Sequence, residues 1–545
     1  MRTSRKASSR WIGLGACILA AASCGGESEG SPVEEPFVGV LIDGPVSGVF
    51  YETESLSGVT DEAGKFEYLE GETVRFFLGG TTLGQLPGQA QVSPFDLAGI
   101  TPPTDDESYD AVKVSSELFR AVNIAFLLQT LDRDAVSESG IEIPSNVAAL
   151  FDGVQLDLER DPERFRTDHD FRSILNEANR QSLYSTYRPI ADLVSVMQHV
   201  YATLGIELAL TTTSFQGVDS DADGTNDTVS VFEFDDAGRA TAQRLDMDGD
   251  GIFDGFFEVE YDDQGLVTQL RADQDGDGVA ETIALYSYDM DHNIARIERD
   301  ANGDAITDEI LETQHNEFGE LVAWREDTDA NGVPERITTW EYDDRGNEIL
   351  EATDSNADGV NDSLLSQQYD SEDRAIREDV DNDANGISEL TTVFDFDERG
   401  NQIRERRDTD VDGTFDIIIT RTFDANNHLT RVERDADGDG VPDSIETNEY
   451  DEDGNLTRAE ADSDADGTID FSQTNSYDEE GNLVRSDLDN DGDGVIDATL
   501  YNADLDPNGN VTRLEIDEDA DGVIDVIGNI TYTTVGWGSV YSVLR

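Results

Sequence analysis

Most of this chain is written as short runs in which apolar and polar residues alternate, and the runs return at a fixed spacing. Ile283-Ala-Leu-Tyr286-Ser-Tyr288 and Ile417-Ile-Ile-Thr-Arg-Thr-Phe423 are rich in β-branched and aromatic types and predict strands. Two kinds of turn separate such runs. One is acidic, as in Asp435-Ala-Asp437-Gly-Asp439-Gly440-Val441-Pro-Asp443. The other is tight, as in Tyr450-Asp451-Glu-Asp453-Gly454-Asn455-Leu456. The glycine of the acidic turn recurs every 27 residues from Gly224, through Gly251, Gly278, Gly332, Gly359, Gly386, Gly413, Gly440 and Gly467 to Gly494. It returns at Gly522 after one inserted residue, and Ala305 replaces it in the fourth copy. Such a period marks a repeat architecture. One unit reads as acidic turn, strand, tight turn, strand, and twelve units fill residues 211–530.

The tight turn carries its own column: Gly238, Gly265, His292, Gly319, Gly346, Asp373, Gly400, Asn427, Gly454, Gly481 and Gly509. His, Asp and Asn are the residues that tolerate positive φ, so the column predicts a left-handed position in a hairpin closed by a G1 bulge. Twenty-four strands at ~4.8 Å would make a ribbon roughly 115 Å long, which must twist and could stay open, coil or close.

The first two hundred residues follow other patterns. Over 37–100, Val46-Ser-Gly-Val-Phe-Tyr51, Gly64-Lys-Phe66-Glu-Tyr68 and Val74-Arg-Phe76 have period two or near it, and predict a β-sandwich. Over 101–210 the period lengthens. Val114, Leu118, Val122, Phe126 and Leu127 mark a helix starting near Ser115 or Ser116. A second helix is expected to open at Pro189, carry Ile190, Leu193, Val194, Met197, Val200, Tyr201 and Leu204, and close at Gly205. The expected fold is therefore mainly β: sandwich, helical segment, hairpin array, and a C-terminal cap over 531–545.

The extreme N-terminus reads as a processing signal. Arg2, Arg5, Lys6 and Arg10 precede an apolar stretch from Trp11 to Ala22, and Ala21-Ala22-Ser23-Cys24 resembles a bacterial lipoprotein cleavage box. The resemblance implies that residues 1–23 are removed, that Cys24 is diacylated, and that 24–36 tether the chain to a membrane. Gly25 after the cysteine implies passage to the outer membrane or cell surface. Cys17 would leave with the signal, so no disulfide is expected.

Charge narrows the partners. Against 121 acidic residues stand 36 basic ones, a formal charge of -85. That repels nucleic acid and bare anionic membrane, and leaves the lipid anchor, a cell-surface protein or a polysaccharide as expected partners.

Oxygen ligands at alternate positions followed by a glycine suit a hard cation, and Ca2+ is the expected cofactor. The first three copies offer Asp219, Asp221, Asp223 and Asp227; Asp246, Asp248, Asp250 and Asp254; and Asp273, Asp275, Asp277 and Glu281. Copies five to eight offer Asp327, Asp329, Asn331 and Glu335; Asp354, Asn356, Asp358 and Asp362; Asp381, Asp383, Asn385 and Glu389; and Asp408, Asp410, Asp412 and Asp416. The last four offer Asp435, Asp437, Asp439 and Asp443; Asp462, Asp464, Asp466 and Asp470; Asp489, Asp491, Asp493 and Asp497; and Asp517, Asp519, Asp521 and Asp525. Copy four, with Asn302 and Ala305, is the expected empty one. The loops resemble the first nine positions of EF-hand calcium loops and the aspartate-rich loops of thrombospondin type 3 repeats. They lack the EF-hand glutamate at the twelfth position, where Phe257, Thr338 and Ile419 stand, although copy nine has Glu446.

Two further resemblances bear on architecture. Gly58-Val-Thr-Asp61-Glu-Ala-Gly64-Lys-Phe66-Glu-Tyr68 resembles the prealbumin-like sandwich of carboxypeptidase-regulatory domains, which implies a spacer or adhesion unit. The aromatic column (Phe234, Tyr261, Tyr288, Tyr342, Tyr369, Phe396, Phe423, Tyr450, Tyr477, with His315 as exception) together with the tight turns resembles the YD repeats of Rhs-type proteins. Those chains wrap a shell around a C-terminal toxin. Only Thr531 to Arg545 follow the last loop, so no such cargo is expected.

An arginine column, Arg296, Arg377, Arg404, Arg431, Arg458, Arg485 and Arg513, is expected to pair with acids across strands. His169 and His199 are the head's only imidazoles, and His199 is expected to be structural. No nucleophile elbow, zinc pair or phosphate loop occurs in the helical segment. The expected function is a lipid-anchored, calcium-binding structural stalk or adhesin without catalysis. A glycan-binding module using the tyrosines is the alternative, and a hydrolase with a site in the helical segment is a second.

Overall fold

A computed structural model describes residues 35–506 and 510–537, so the signal, Cys24 and most of the tether lie outside the described residues. The repeats do not form an open ribbon. Twenty-four antiparallel strands, from Leu210–Asp219 to Val526–Val535, close into one barrel. The first and last strands pair antiparallel, from Leu210 opposite Val535 to Asp219 opposite Ile527. They are ten residues long, whereas those between are seven or eight. The closing strand thus takes in residues 531–535, expected to belong to a separate cap.

The pairing register explains the closure. Glu233 pairs with Ala242, and Ala242 with Glu258, so one hairpin step advances 25 positions where the repeat advances 27. The same step carries Glu258 through Arg271 to Ile283. Each hairpin therefore slips by two residues against its neighbour, and twelve slips make a shear of about 24, equal to the strand number. Equal shear and strand number is also the TIM-barrel condition, with a tilt of about 36°. Here it gives a ring about 40–45 Å across and about 20 Å tall. Of the barrel strands, only Leu210, Val535 and Phe234 join the main apolar core, so no apolar core fills the ring.

Because all turns of one kind fall at one end of the strands, the acidic loops occupy one rim and the tight turns the other. Each described tight hairpin is bulged where predicted, as between Glu449 and Tyr450. The substitutes in the glycine column are left-handed: His292 at φ 63, Asp373 at 60 and Asn427 at 78. Gly509 lies outside the described residues.

The head sits on the tight-turn rim. It holds a three-stranded sheet (Lys65–Tyr68, Phe37–Leu41, Gln91–Val92) and a four-stranded one (Ser57–Val59, Phe50–Glu52, Thr73–Leu78, Thr81–Pro87). A single apolar cluster runs from Leu41 through the helices to Trp537, so the parts expected as separate sandwich and helical segment share one core. Val46 to Tyr51 is not one strand. It breaks at Gly48 (φ 89), where a Cβ would lie 2.2 Å from the Ile143 carbonyl oxygen.

The first expected helix spans Ser116–Thr130, and the Ser115 hydroxyl accepts from the Leu118 amide. Val114 falls before that cap and is exposed, not part of the apolar face. The second spans Leu193–Leu204 and closes at left-handed Gly205 as expected. It opens three residues after Ile190, because the Asp192 carboxylate caps it through the Ser195 amide at 2.8 Å. Unforeseen was the helix His169–Arg180, which carries much of the contact with the barrel.

That contact follows consecutive tight turns. Tyr187 donates to Asp291, and Arg172, almost fully buried, pairs with the same carboxylate at 3.3 Å. Asn176 donates to the Glu317 carbonyl. His169 stacks on Phe318 and meets Glu320 Oε1 at 2.7 Å. Arg160 reaches the Arg345 carbonyl and Asp373. Among the described residues no hydrogen bond or ion pair joins the head to the turns at Asp397, Asp424, Asp451 or Asp478. The head covers an arc of the rim.

His199 is structural. Its Nε2 lies 3.2 Å from the Asp43 carbonyl oxygen, inside the head. Asp43 itself is 1% exposed, with the Gln129 amide donating to both carboxylate oxygens. Burial raises its pKa to about 7, and the Gln129 bond offsets only part of that rise. The unfolded carboxyl ionises near 3.8. Between these values the folded head holds a proton that the unfolded chain has lost. Stability from this group is therefore complete below about pH 4 and gone above about pH 7, a loss of the order of 4 kcal/mol. Chemical denaturation from pH 4 to pH 8 is expected to show this slope, and Asp43→Asn, which keeps an oxygen for Gln129, should flatten it.

Candidate metal centre

Every acidic turn is closed by two carboxylates that act on the backbone. The first aspartate of each loop is 2–8% exposed, and its Oδ2 accepts from the amide five residues on at 2.6–3.0 Å. The ninth-position acid accepts from the amide of position two at 2.6–2.8 Å in all twelve copies. The sequence pointed to the ninth acid as a ligand. Its nearer oxygen is a latch that shuts the loop, and only the second oxygen is left to turn inward.

What remains is a cup of oxygens. Asp273, Asp275, Asp277 and Glu281 place ligand atoms within 4.8 Å of one another, as do Asp219, Asp221 and Asp227; Asp246, Asp248 and Asp250; Asp327, Asp329 and Glu335; and Asp381, Asp383 and Glu389. In three copies the first aspartate's Oδ1 is buried with no hydrogen-bond partner: Asp408, Asp435 and Asp489. These residues are 5–7% exposed, and leaving an acceptor buried and unmatched costs about 1–3 kcal/mol. A cation in the cup would satisfy that oxygen. The donor set is oxygen alone, which fits Ca2+.

The charges stay in place. Burial alone would raise Asp381, but the amides of Gly386, Asn385 and Asp383 outweigh it and its pKa is lowered. Asp300 is lowered in the same way, by the amides of Ala305, Asn302 and Gly303. The latch acids Asp227, Asp362 and Asp416 are lowered by the hydroxyls of Ser220, Ser355 and Thr409 and then by the same residues' amides. Copy four keeps the loop shape: Ala305 adopts φ 65 and still donates to Asp300. Its deficit is chemical, since Asn302 turns its amide to Asp308.

One column escaped the sequence reading. The fourth loop position is left-handed in every copy, with φ between 51 and 72, whether Gly (Gly249, Gly276, Gly303, Gly438, Gly492), Ala (Ala222, Ala330, Ala357, Ala384, Ala465, Ala520) or Val411. A β-branched residue at φ 54 is strained by about 1–2 kcal/mol, and such strain gathers at ligand clamps. The signal was there as a column of small residues. Alanine hid it, because alanine does not announce positive φ.

The opposite rim is built to hold hairpins together. Each turn-opening aspartate accepts from the amides two and four residues on, as Asp451 does from Asp453 and Asn455. The tyrosine hydroxyls donate across to the preceding hairpin, 21 residues back: Tyr288 to Val267, Tyr342 to Leu321, Tyr450 to Leu429, Tyr477 to Leu456. Tyr450→Phe with Tyr477→Phe should lower stability by about 1 kcal/mol per site with the fold intact, as denaturant midpoints would show. The arginines pair mainly along their own strand rather than across it: Arg377 with Asp379, Arg431 with Glu433, Arg458 with Glu460, Arg485 with Asp487, Arg513 with Glu515. Residues two apart share a face, and the guanidinium reaches that neighbour first. Arg296 does both, meeting Glu298 and, across the strand, Glu312.

No family model and no curated protein matches the chain. Solved structures show similarity at low overlap. TcdB2-TccC3-Cdc42 is 12% identical over 55% of this chain and 19% of that one, at a TM-score of 0.31. The Photorhabdus luminescens Tc holotoxin pore is 13% identical over 87% and 29%, at 0.21. A porin-like protein from Bacteroides uniformis is 12% identical over 47% and 97%, at 0.21. This chain spans about a fifth of the first. The likeness is one of large β-architecture and extends no further.

Proposed function

We propose that the chain is a lipid-anchored, calcium-binding structural protein of the cell surface, an adhesin without catalysis, whose barrel is held rigid by ions along one rim. The observation that carries this reading is the ring of twelve latched oxygen cups with orphaned acceptors at Asp408, Asp435 and Asp489. Because the array closes, its mechanical role is that of a short, wide ring and not a long stalk. Cys24 would supply the anchor. The tyrosine ladder supports the glycan alternative poorly, since its hydroxyls are committed to carbonyls of the neighbouring hairpin. Cells displaying the protein, set against cells lacking it, test the proposal: adhesion under flow should need millimolar calcium and vanish with chelator. Equal retention of both cell types in calcium would refute it.

A further inference from the structure

The seventh position of each acidic loop, just past the turn glycine, points outward from the rim. It is Val or Ile in nine of the twelve copies and Thr in the other three, Thr225, Thr414 and Thr468. All nine apolar side chains are strongly exposed, for example Ile252 at 68%, Val333 at 64%, Val360 at 66% and Ile387 at 68%. Scattered exposed apolar residues need no explanation, but a closed circle of them on the loop tips does. Their own loops do not use them: the amide of Val333 serves Asn331 and that of Val360 serves Asp358, and the side chains stand free of the core.

The cups beneath them are short of ligands. Three side-chain oxygens, the seventh carbonyl and one oxygen of the latch acid make about five donors, where Ca2+ takes six to eight. The twelfth-position glutamate that would complete an EF-hand sphere is replaced by strand residues such as Thr338 and Ile419. The rim therefore lacks two things at once, anionic oxygens for the metal and an apolar layer for the tips. A phospholipid surface offers both, side by side and in a plane. A second copy would bring apolar tips but leave the facing ions with empty positions.

We propose that the calcium-loaded rim docks onto a phospholipid membrane, with headgroup phosphates completing the ions' coordination and the Val and Ile tips entering the interface. This rests on the calcium reading above. Without metal the acidic rim repels such a surface, so docking is gated by calcium. Glu35, the first described residue, belongs to the head, at the barrel end remote from this rim. The membrane engaged is then a second one, which is what adhesion requires.

The test is sedimentation with vesicles of phosphatidylcholine and phosphatidylserine, using the full chain carrying Cys24→Ser so that no acyl chain contributes. Bound calcium is measured in parallel by equilibrium dialysis. The pelleted fraction should rise at least tenfold in calcium over chelator, and magnesium should not substitute. Val333→Thr with Val360→Thr and Ile387→Thr should weaken pelleting about tenfold with calcium content unchanged; threonine is native at this position in three copies, so folding is preserved. Calcium bound without pelleting overturns the proposal and leaves the calcium reading standing. So does calcium-dependent dimerisation without vesicle binding. Absence of bound calcium overturns both.

Discussion

Stripping calcium should melt the barrel while the head stays folded. The two parts differ in what holds them. The head has one apolar core of fully buried residues such as Phe66, Phe76, Phe126, Phe151 and Phe171. Apolar side chains inside the barrel strands are mostly half-exposed, so sheet hydrogen bonds, surface ion pairs and the loops must hold it. Surface pairs are worth little, at most about 1 kcal/mol each. An ion at tenfold its Kd adds about 1.4 kcal/mol per site, so twelve sites together contribute on the order of 15 kcal/mol. That exceeds the whole stability of an ordinary domain, about 5–15 kcal/mol. Metal-free, each loop holds several ionised carboxylates close together, as at Asp273, Asp275, Asp277 and Glu281. Circular dichroism in chelator should show loss of β-sheet signal with the helical component retained, and a thermal transition lower by tens of degrees. Restoring calcium should reverse it. A transition unmoved by chelator would show that the sheet needs no metal.

Trp537→Ala should loosen both the head and the seam of the barrel. The indole is 2% exposed and lies edge-on to Tyr201 at 5.5 Å and Tyr109 at 6.0 Å. It follows directly on the closing strand, whose last residue, Val535, is buried in the same core. Truncating a buried tryptophan costs about 3–5 kcal/mol. At this position the cost falls on the junction that keeps Leu210–Asp219 paired with Val526–Val535. Hydrogen exchange should accelerate across 526–535 and 210–219 while Leu456–Asp462, far round the ring, keeps its protection. Trp537→Phe should recover most of the loss. Uniform protection in Trp537→Ala would mean the seam is held by strand pairing alone.

The repeat was legible because its chemistry is periodic. Glycine, aspartate and aromatic columns report geometry directly, and the left-handed tight turn could be read from His292, Asp373 and Asn427 alone. Closure was not legible. It depends on a two-residue slip between hairpins, which is set by the bulge at each tight turn and the reach of each acidic loop, and no single residue encodes it. The position-nine acids were recognised as acids but not as latches, because the donor, the amide of position two, has no side-chain signature. In the head, the helix His169–Arg180 was missed although Phe171, Ile174, Leu175 and Ala178 line one face, since charged residues crowd the rest. The docking of that helix on Asp291, Phe318 and Glu320 joins residues more than a hundred positions apart, beyond the range of local patterns.

The most direct measurement is the calcium content of the purified, dialysed chain at millimolar free calcium, by atomic emission against protein concentration. Eleven or twelve ions per chain are expected, copy four being the one that binds weakest, and charge-removing changes such as Asp435→Asn should each delete about one. A ratio near zero with the barrel still closed would contradict the account.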